Sequence, residues 1–226
     1  MKLTYYGHSA FSVEVGKHHL LFDPFITPNE LAKEIDINTL RADFILVSHG
    51  HEDHVADAVA IAKRTGATII TNFEVANWFS QQGVQKTHGM NHGGAFGFDF
   101  GRVKYVNAIH SSSLPDGSYG GNPGGFVIET REGNFYFSGD TALTMDMKLI
   151  GESTPLKFAV LCVGDNFTMG PDDAIKAAVF VGCNEVVGVH YDTFPPIRID
   201  HQQAISKFSA AGKRLHLLKP GEWREF

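Results

Sequence analysis

The chain has 226 residues, 43% of them hydrophobic and 19% charged, with 19 basic against 25 acidic side chains and a formal net charge of -6. That length suits a single domain, residues 1–226, with a substantial buried core. The acidic balance argues against a nucleic-acid surface built on bulk positive charge.

Taken in order, Leu3 to Tyr6, Ala10 to Val15 and His19 to Phe22 read as short strands punctuated by Gly7 and Gly16. Phe44 to Ser48 is an apolar run of strand length, and Val55, Ala58, Val59 and Ala62 fall at helical spacing before Gly66. Thr68 to Thr71 is a further strand, and Asn72 is placed to cap a helix over Phe73 to Gln81. Strands follow at Gly93 to Phe100, Arg102 to Ile109, Gly125 to Glu129 and Asn134 to Phe137. Lys157 to Val163, Glu185 to Val189 and Arg214 to Leu218 complete them, with helices at Pro171 to Val181 and His201 to Ala211.

Both halves thus begin β-rich and continue as strand and helix units, without a tandem sequence repeat. The glycine-rich stretch from Pro115 to Gly125 separates them and reads as a flap over a site. No run approaches the roughly 18 apolar residues that span a bilayer, and the first residues lack the apolar centre of a secretion signal. The expectation is a cytoplasmic protein with no membrane partner. Cys162 and Cys183 have no framework spacing and are expected to be free thiols.

The densest chemistry lies in His49-Gly-His51-Glu-Asp53-His54, directly after the Phe44 run. Alternation on an extended segment sends His49 and His51 to one side, and the turn that follows can swing Asp53 and His54 toward a neighbouring point. One short cluster can therefore serve two adjacent cations. Imidazole with carboxylate suits zinc, manganese, nickel or iron better than calcium or magnesium, which prefer oxygen shells. Further ligands are expected at other strand ends, where layered α/β folds open a common crevice. His110, Asp140 and His190 are each the first metal-competent residue after an apolar strand.

In this order and spacing the residues resemble those of the metallo-β-lactamase superfamily. The resemblance implies a four-layer αββα sandwich of two pseudo-repeated halves. It also implies that His49, His51 and His110 hold one metal, Asp53, His54 and His190 a second, and that Asp140 bridges them. Leu3-Thr-Tyr-Tyr-Gly-His-Ser-Ala-Phe11 and Gly164-Asp-Asn-Phe-Thr-Met-Gly-Pro171 are similar to a compact branch of uncharacterised metal-dependent hydrolases related to the ascorbate-6-phosphate lactonases. That branch also allows a homo-oligomer.

Two divalent transition-metal ions, zinc first among them, imply hydrolysis by a shared hydroxide, with Asp140 bridging and Asp53 taking up the proton. A lactone, another ester or a phosphodiester of a small-molecule substrate fits that chemistry. A mononuclear iron oxygenase or redox enzyme of the same fold is one alternative, and an RNA-processing phosphodiesterase is another. His8, Asp23, Asp165, Asn166 and Tyr191 are expected to support a ligand or touch substrate. In particular, Asp23 would orient a metal-bound imidazole, and Tyr191 would either donate to the reacting oxygen or pack as an aromatic. Arg198 is the nearest cation for an anionic substrate group.

Overall fold

The computed structural model describes residues 1–226. Its first half runs β1 (Lys2–Gly7), β2 (Ala10–Val15), β3 (His18–Phe22), β4 (Phe44–Leu46), α1 (Glu52–Val55), α2 (Ala58–Thr65), β5 (Thr68–Asn72), α3 (Phe73–Gln81) and β6 (Thr87–Met90). The second half runs β7 (Ala95–Phe98), β8 (Gly101–Asn107), β9 (Gly124–Thr130), β10 (Gly133–Phe137), α4 (Asp146–Ser153), β11 (Phe158–Cys162), α5 (Pro171–Phe180), β12 (Glu185–Val189), α6 (His201–Ala210) and β13 (Arg214–His216). A last strand, β14 (Trp223–Glu225), follows, and 3-10 turns occupy Glu30–Ala32 and Pro195–Ile197.

Two seven-stranded sheets result, ordered β14-β1-β2-β3-β4-β5-β6 and β13-β12-β11-β10-β9-β8-β7. In the first, β1 to β3 are antiparallel and β3 to β6 parallel. The second repeats that pattern, with β7 to β10 antiparallel and β10 to β13 parallel. The inner faces meet through aromatic rings. Phe11 stacks on Phe22 at 4.4 Å, and Phe137 stands edge-on to both, at 5.1 and 5.6 Å. Such offset and edge contacts are the favoured geometries for rings that also bury large apolar areas.

Helices cover the outer faces. Ala58, Ile61 and Ala62 of α2, with Val75 and Phe79 of α3, pack with Ile45, Val47 and Ile69 of the first sheet. Met147 and Ile150 of α4, Ala174, Ala177 and Ala178 of α5, and Ala204 and Phe208 of α6 join the core on the other side. The layers are therefore helix, sheet, sheet, helix, the αββα sandwich that the resemblance implied.

Local chemistry set many of the boundaries. Asn72 accepts from the Val75 amide and Asp200 from the Gln203 amide, each satisfying an otherwise unpaired helix N–H. Gly66 ends α2 in the left-handed conformation, at φ 73°. The apolar periodicity around Val55 is split into α1 and α2, because the Asp57 carboxylate accepts from the Ile26 and Thr27 amides and pins that junction. Three elements carry too little periodicity to be seen in the sequence: β6, with Gly89 inside it, α4, with Gly151 inside it, and β14, whose residues are all exposed.

Candidate metal centre

The pseudo-repeat places equivalent strand ends of both sheets along one edge of the sandwich. There β1 runs into His8, β3 into Asp23, β4 into His49 to His54, β8 into His110, β10 into Asp140 and β12 into His190. The turns at these ends are tightly specified. His8, Asp23 and His190 all take positive φ, at 54°, 38° and 58°, a conformation uncommon for residues with a Cβ. A Cβ at Gly164 would collide with the His190 carbonyl, so only glycine lets the end of β11 pass.

The side chains gather in two groups. Ligand-competent atoms of His49, His51 and His110 lie within 4.8 Å of one another, as do those of His8, Asp53, His54 and His190. The His49 and His51 rings each stand 5.2 Å from the His110 ring. Asp140 joins the two groups through one atom: its Oδ2 lies 2.9 Å from His190 Nε2, 3.3 Å from His54 Nε2 and 3.7 Å from His110 Nε2. Asp53 Oδ2 lies 3.9 Å from both His54 Nε2 and His190 Nε2. All seven residues singled out around the His49 to His54 cluster are thus brought together.

Beneath them lies a fully buried layer of hydrogen bonds. Asp23 Oδ2 is 2.7 Å from His54 Nδ1 and accepts from Ser48 Oγ at 2.6 Å, while Oδ1 accepts from the Ser48 amide at 2.7 Å. Ser48 Oγ is also 2.9 Å from His49 Nδ1. Tyr105, from β8, donates to the Ser48 carbonyl at 2.8 Å and so ties the second sheet to the start of the histidine segment. Ser48 and Tyr105 belong to the site without having been among the residues expected there. Only Ser48 carried a sequence signal, its hydroxyl standing immediately before His49.

The electrostatics call for positive charge. Burial and His190 bring His8 down to about 4, and burial depresses His49, His51 and His110 below the ordinary imidazole value. Burial would likewise keep His54 neutral, yet Asp140, Asp53 and Asp23 overcome it and raise the value well above normal. Burial also opposes ionisation of Asp53 and Asp140, but His54 and its histidine neighbours hold both carboxylates well below their usual range. Two carboxylates held in their ionised form among imidazoles form a cluster suited to cations. His54 Nε2 and Asp140 Oδ1 are buried without a hydrogen-bond partner, an arrangement that normally costs stability unless another group satisfies it. A set of imidazoles with carboxylates fits transition-metal ions.

Other candidates sit elsewhere. Tyr191 is buried, stacks on Tyr5 at 6.0 Å and donates to the Leu218 carbonyl at 2.8 Å. Its hydroxyl is therefore spent on packing the chain's C-terminal segment, which is the packed-aromatic role and not donation to a reacting oxygen. Asp165 accepts from the Asn166 amide within its own loop. Asp165, Asn166 and Arg198 line a surface hollow with Asp172 and Lys207, and none of the metal-competent cluster lines it. The stretch from Pro115 to Gly125 has an exposed tip, but its far side is fastened where Asn72 Nδ2 donates to the Gly120 and Asn122 carbonyls.

An αββα sandwich with this histidine and aspartate cluster at its strand ends is the metallo-β-lactamase fold. The family profile described as Beta-lactamase superfamily domain matches residues 18–191. A UPF0173 metal-dependent hydrolase of Christiangramia forsetii is 58% identical over 223 residues, covering 98% of each chain. Among solved structures, Igni18, a metallo hydrolase from the hyperthermophilic archaeon Ignicoccus hospitalis, superposes with a TM-score of 0.89 at 37% identity, covering 100% of this chain and 98% of that one. The isothiocyanate hydrolase from Delia radicum gut bacteria shares the fold at 18% identity, with a TM-score of 0.80 over 100% of this chain and 99% of that one. The chain belongs to the β-lactamase superfamily, as a metal-dependent hydrolase of the UPF0173 group. No helix is long and apolar enough to cross a membrane.

Proposed function

We propose that the enzyme hydrolyses a lactone or other ester of a small molecule at a dinuclear centre. The observation that carries this reading is the position of Asp140 Oδ2, within 3.7 Å of His110 on one side and within 3.3 Å of His54 and His190 on the other. His49, His51 and His110 would hold one divalent transition-metal ion, zinc by preference, and Asp53, His54 and His190 the other. Asp140, within reach of both sets, would serve as their shared carboxylate. When bound, the ions supply Lewis acidity, which makes hydroxide available near neutral pH and offsets charge on the attacked oxygen.

The chain's own groups do the rest. Asp23 fixes the His54 ring by taking its Nδ1–H, which leaves Nε2 free to act as a ligand. Asp53 makes its polar contacts through Oδ2, and its side chain is 28% exposed, so Oδ1 can receive a proton from the cleft and pass it to the leaving group. Phe25 and Phe194 stand edge-on to His8, each 5.5 Å away, and give the cleft an apolar wall. Arg198 lies in the separate hollow. That division favours a carboxylic ester over a phosphodiester, and the acidic net charge disfavours nucleic acid as substrate.

The test is a screen of lactones, esters, thioesters and phosphodiesters on protein whose metal content is counted in the same preparation. Turnover of a carboxylic ester that vanishes on chelation and returns with zinc is expected. Cleavage confined to phosphodiesters, or turnover that requires oxygen, would overturn the reading.

A further inference from the structure

The second cluster contains a histidine that the metal assignment leaves over. His8 is fully buried at the β1–β2 turn, and its Nε2 lies 3.0 Å from Asp53 Oδ2. Its other nitrogen, Nδ1, lies 3.0 Å from Thr193 Oγ1. The carbonyl of His8 accepts from the His190 amide at 2.8 Å and from Tyr5 Oη at 3.0 Å. The ring packs against His190 at 4.2 Å, and Phe25 and Phe194 bracket it. A positive φ at a residue with a large side chain is uncommon, and these contacts hold it there.

Asp53 is in the opposite condition. It lies in the four-residue α1, a single turn that cannot hold a side chain by backbone packing alone, and its side chain is more exposed than that of Asp140, the other carboxylate of the cluster. Its one hydrogen bond to another side chain is the contact from His8. An ionised carboxylate only accepts, so the proton of that contact sits on His8 Nε2. Nδ1 is then the acceptor, and the Thr193 hydroxyl, whose other acceptor is the Tyr191 carbonyl at 3.4 Å, turns its proton to the nearer ring nitrogen. Asp53 thus selects the tautomer, and Thr193 holds the ring from its other side.

We propose that His8 and Thr193 form a positioning pair that holds the Asp53 carboxylate in place to receive the second metal ion, an inference that rests on the dinuclear reading above. In this arrangement His8 acts as a donor to Asp53, its Nε2 lying 3.0 Å from the carboxylate that would take the ion. Outer partners that orient a ligand typically contribute 10–100-fold to metal affinity.

The test uses four variants of the full chain and a zinc titration of each metal-stripped protein, with ions per chain counted after dialysis. In His8→Asn the amide oxygen can fall near the position of Nδ1 and accept from Thr193, and the positive φ is tolerated, while Asp53 loses its donor. In His8→Gln the amide nitrogen reaches the position of Nε2 and restores that donor. Thr193→Val removes the hydroxyl at constant shape, and Thr193→Ser returns it. Circular dichroism and thermal melting in chelator establish that each variant is folded.

The wild type is expected to hold two ions. His8→Asn and Thr193→Val are expected to bind the first ion normally and the second about 10–100-fold more weakly. His8→Gln and Thr193→Ser should recover to near wild-type affinity. Wild-type affinity for the second ion in His8→Asn would overturn the proposal and leave the dinuclear reading standing, as would a His8→Gln no better than His8→Asn. A wild type that holds one ion would overturn the dinuclear reading and the proposal with it.

Discussion

Asp23 offers the sharpest test of how the buried layer supports the metal position. Its carboxylate, with no exposed surface, is the acceptor for the Ser48 amide, the Ser48 hydroxyl and His54 Nδ1. In Asp23→Ala the Ser48 hydroxyl can turn to His49 Nδ1, already 2.9 Å away, while the Ser48 amide and His54 Nδ1 lose the acceptor they have. At about 1–3 kcal/mol for each buried donor left unpaired, the metal-free protein should lose about 2–6 kcal/mol of stability. That is a large part of the ~5–15 kcal/mol that holds a typical domain folded.

Asp23→Asn separates stability from metal binding. The amide keeps one oxygen, but whichever way it turns, an N–H faces either the Ser48 amide or His54 Nδ1. The relieving change is for His54 to move its proton to Nε2, the atom that would otherwise bind the ion, so the second ion should weaken about 10–100-fold. Urea denaturation in chelator measures the first effect and zinc titration the second. A loss below about 1 kcal/mol in Asp23→Ala, at the floor of the unpaired-donor range, would refute the reasoning. So would unchanged affinity for the second ion in Asp23→Asn.

Asp140→Asn keeps the size of a buried side chain that lies against three histidines, so the fold should persist. The variant should lose the second ion or slow hydrolysis by about 100-fold or more, and wild-type turnover against a hydrolysed substrate would exclude the bridging role. The metal-free protein should also weaken in acid. His8, His49, His51 and His110 are depressed in the fold, so their contribution is complete above the unfolded value near 6.5 and disappears as pH falls through the folded values. For His8, with a folded value of about 4, protonating the buried ring costs about 3 kcal/mol, since each tenfold change in proton affinity is worth ~1.4 kcal/mol. His54 and Asp23 are raised and act in the opposite sense, their contributions being lost as pH rises. Burial also lowers His88 and His216, so six lowered histidines against two raised groups predict a urea midpoint that drops between pH 6.5 and 4.5 in chelator; a flat or rising midpoint would contradict the assignment.

How much of this was legible depended on the range of the interaction. The β2 strand, α3 with its Asn72 cap and the β12 strand follow from residues close in sequence, and all three lie where the pattern of apolar and capping residues puts them. Trp223 to Glu225 is the contrary case. Three exposed residues have no intrinsic reason to be a strand, and they form one because Leu3 and its neighbours on β1 offer an unpaired edge. Asp57 likewise interrupts an apolar helical pattern through bonds to amides some 30 residues away.

The site divides in the same way. Histidines and aspartates placed directly after apolar strands marked the whole His49 to His190 set, since a strand end projects its next polar residue from a rigid edge. Tyr191 shows the limit: adjacent to His190 in sequence, it sends its hydroxyl to Leu218. The sequence by itself determined which residues could bind metal and which elements would carry them, because those depend on residue type and short-range periodicity. Only the tertiary structure decided which imidazole Asp23 would serve, His54, and that Thr193 would reach His8 across 185 residues. Those contacts are set by how two sheets pack face to face, and nothing local in the chain encodes that distance.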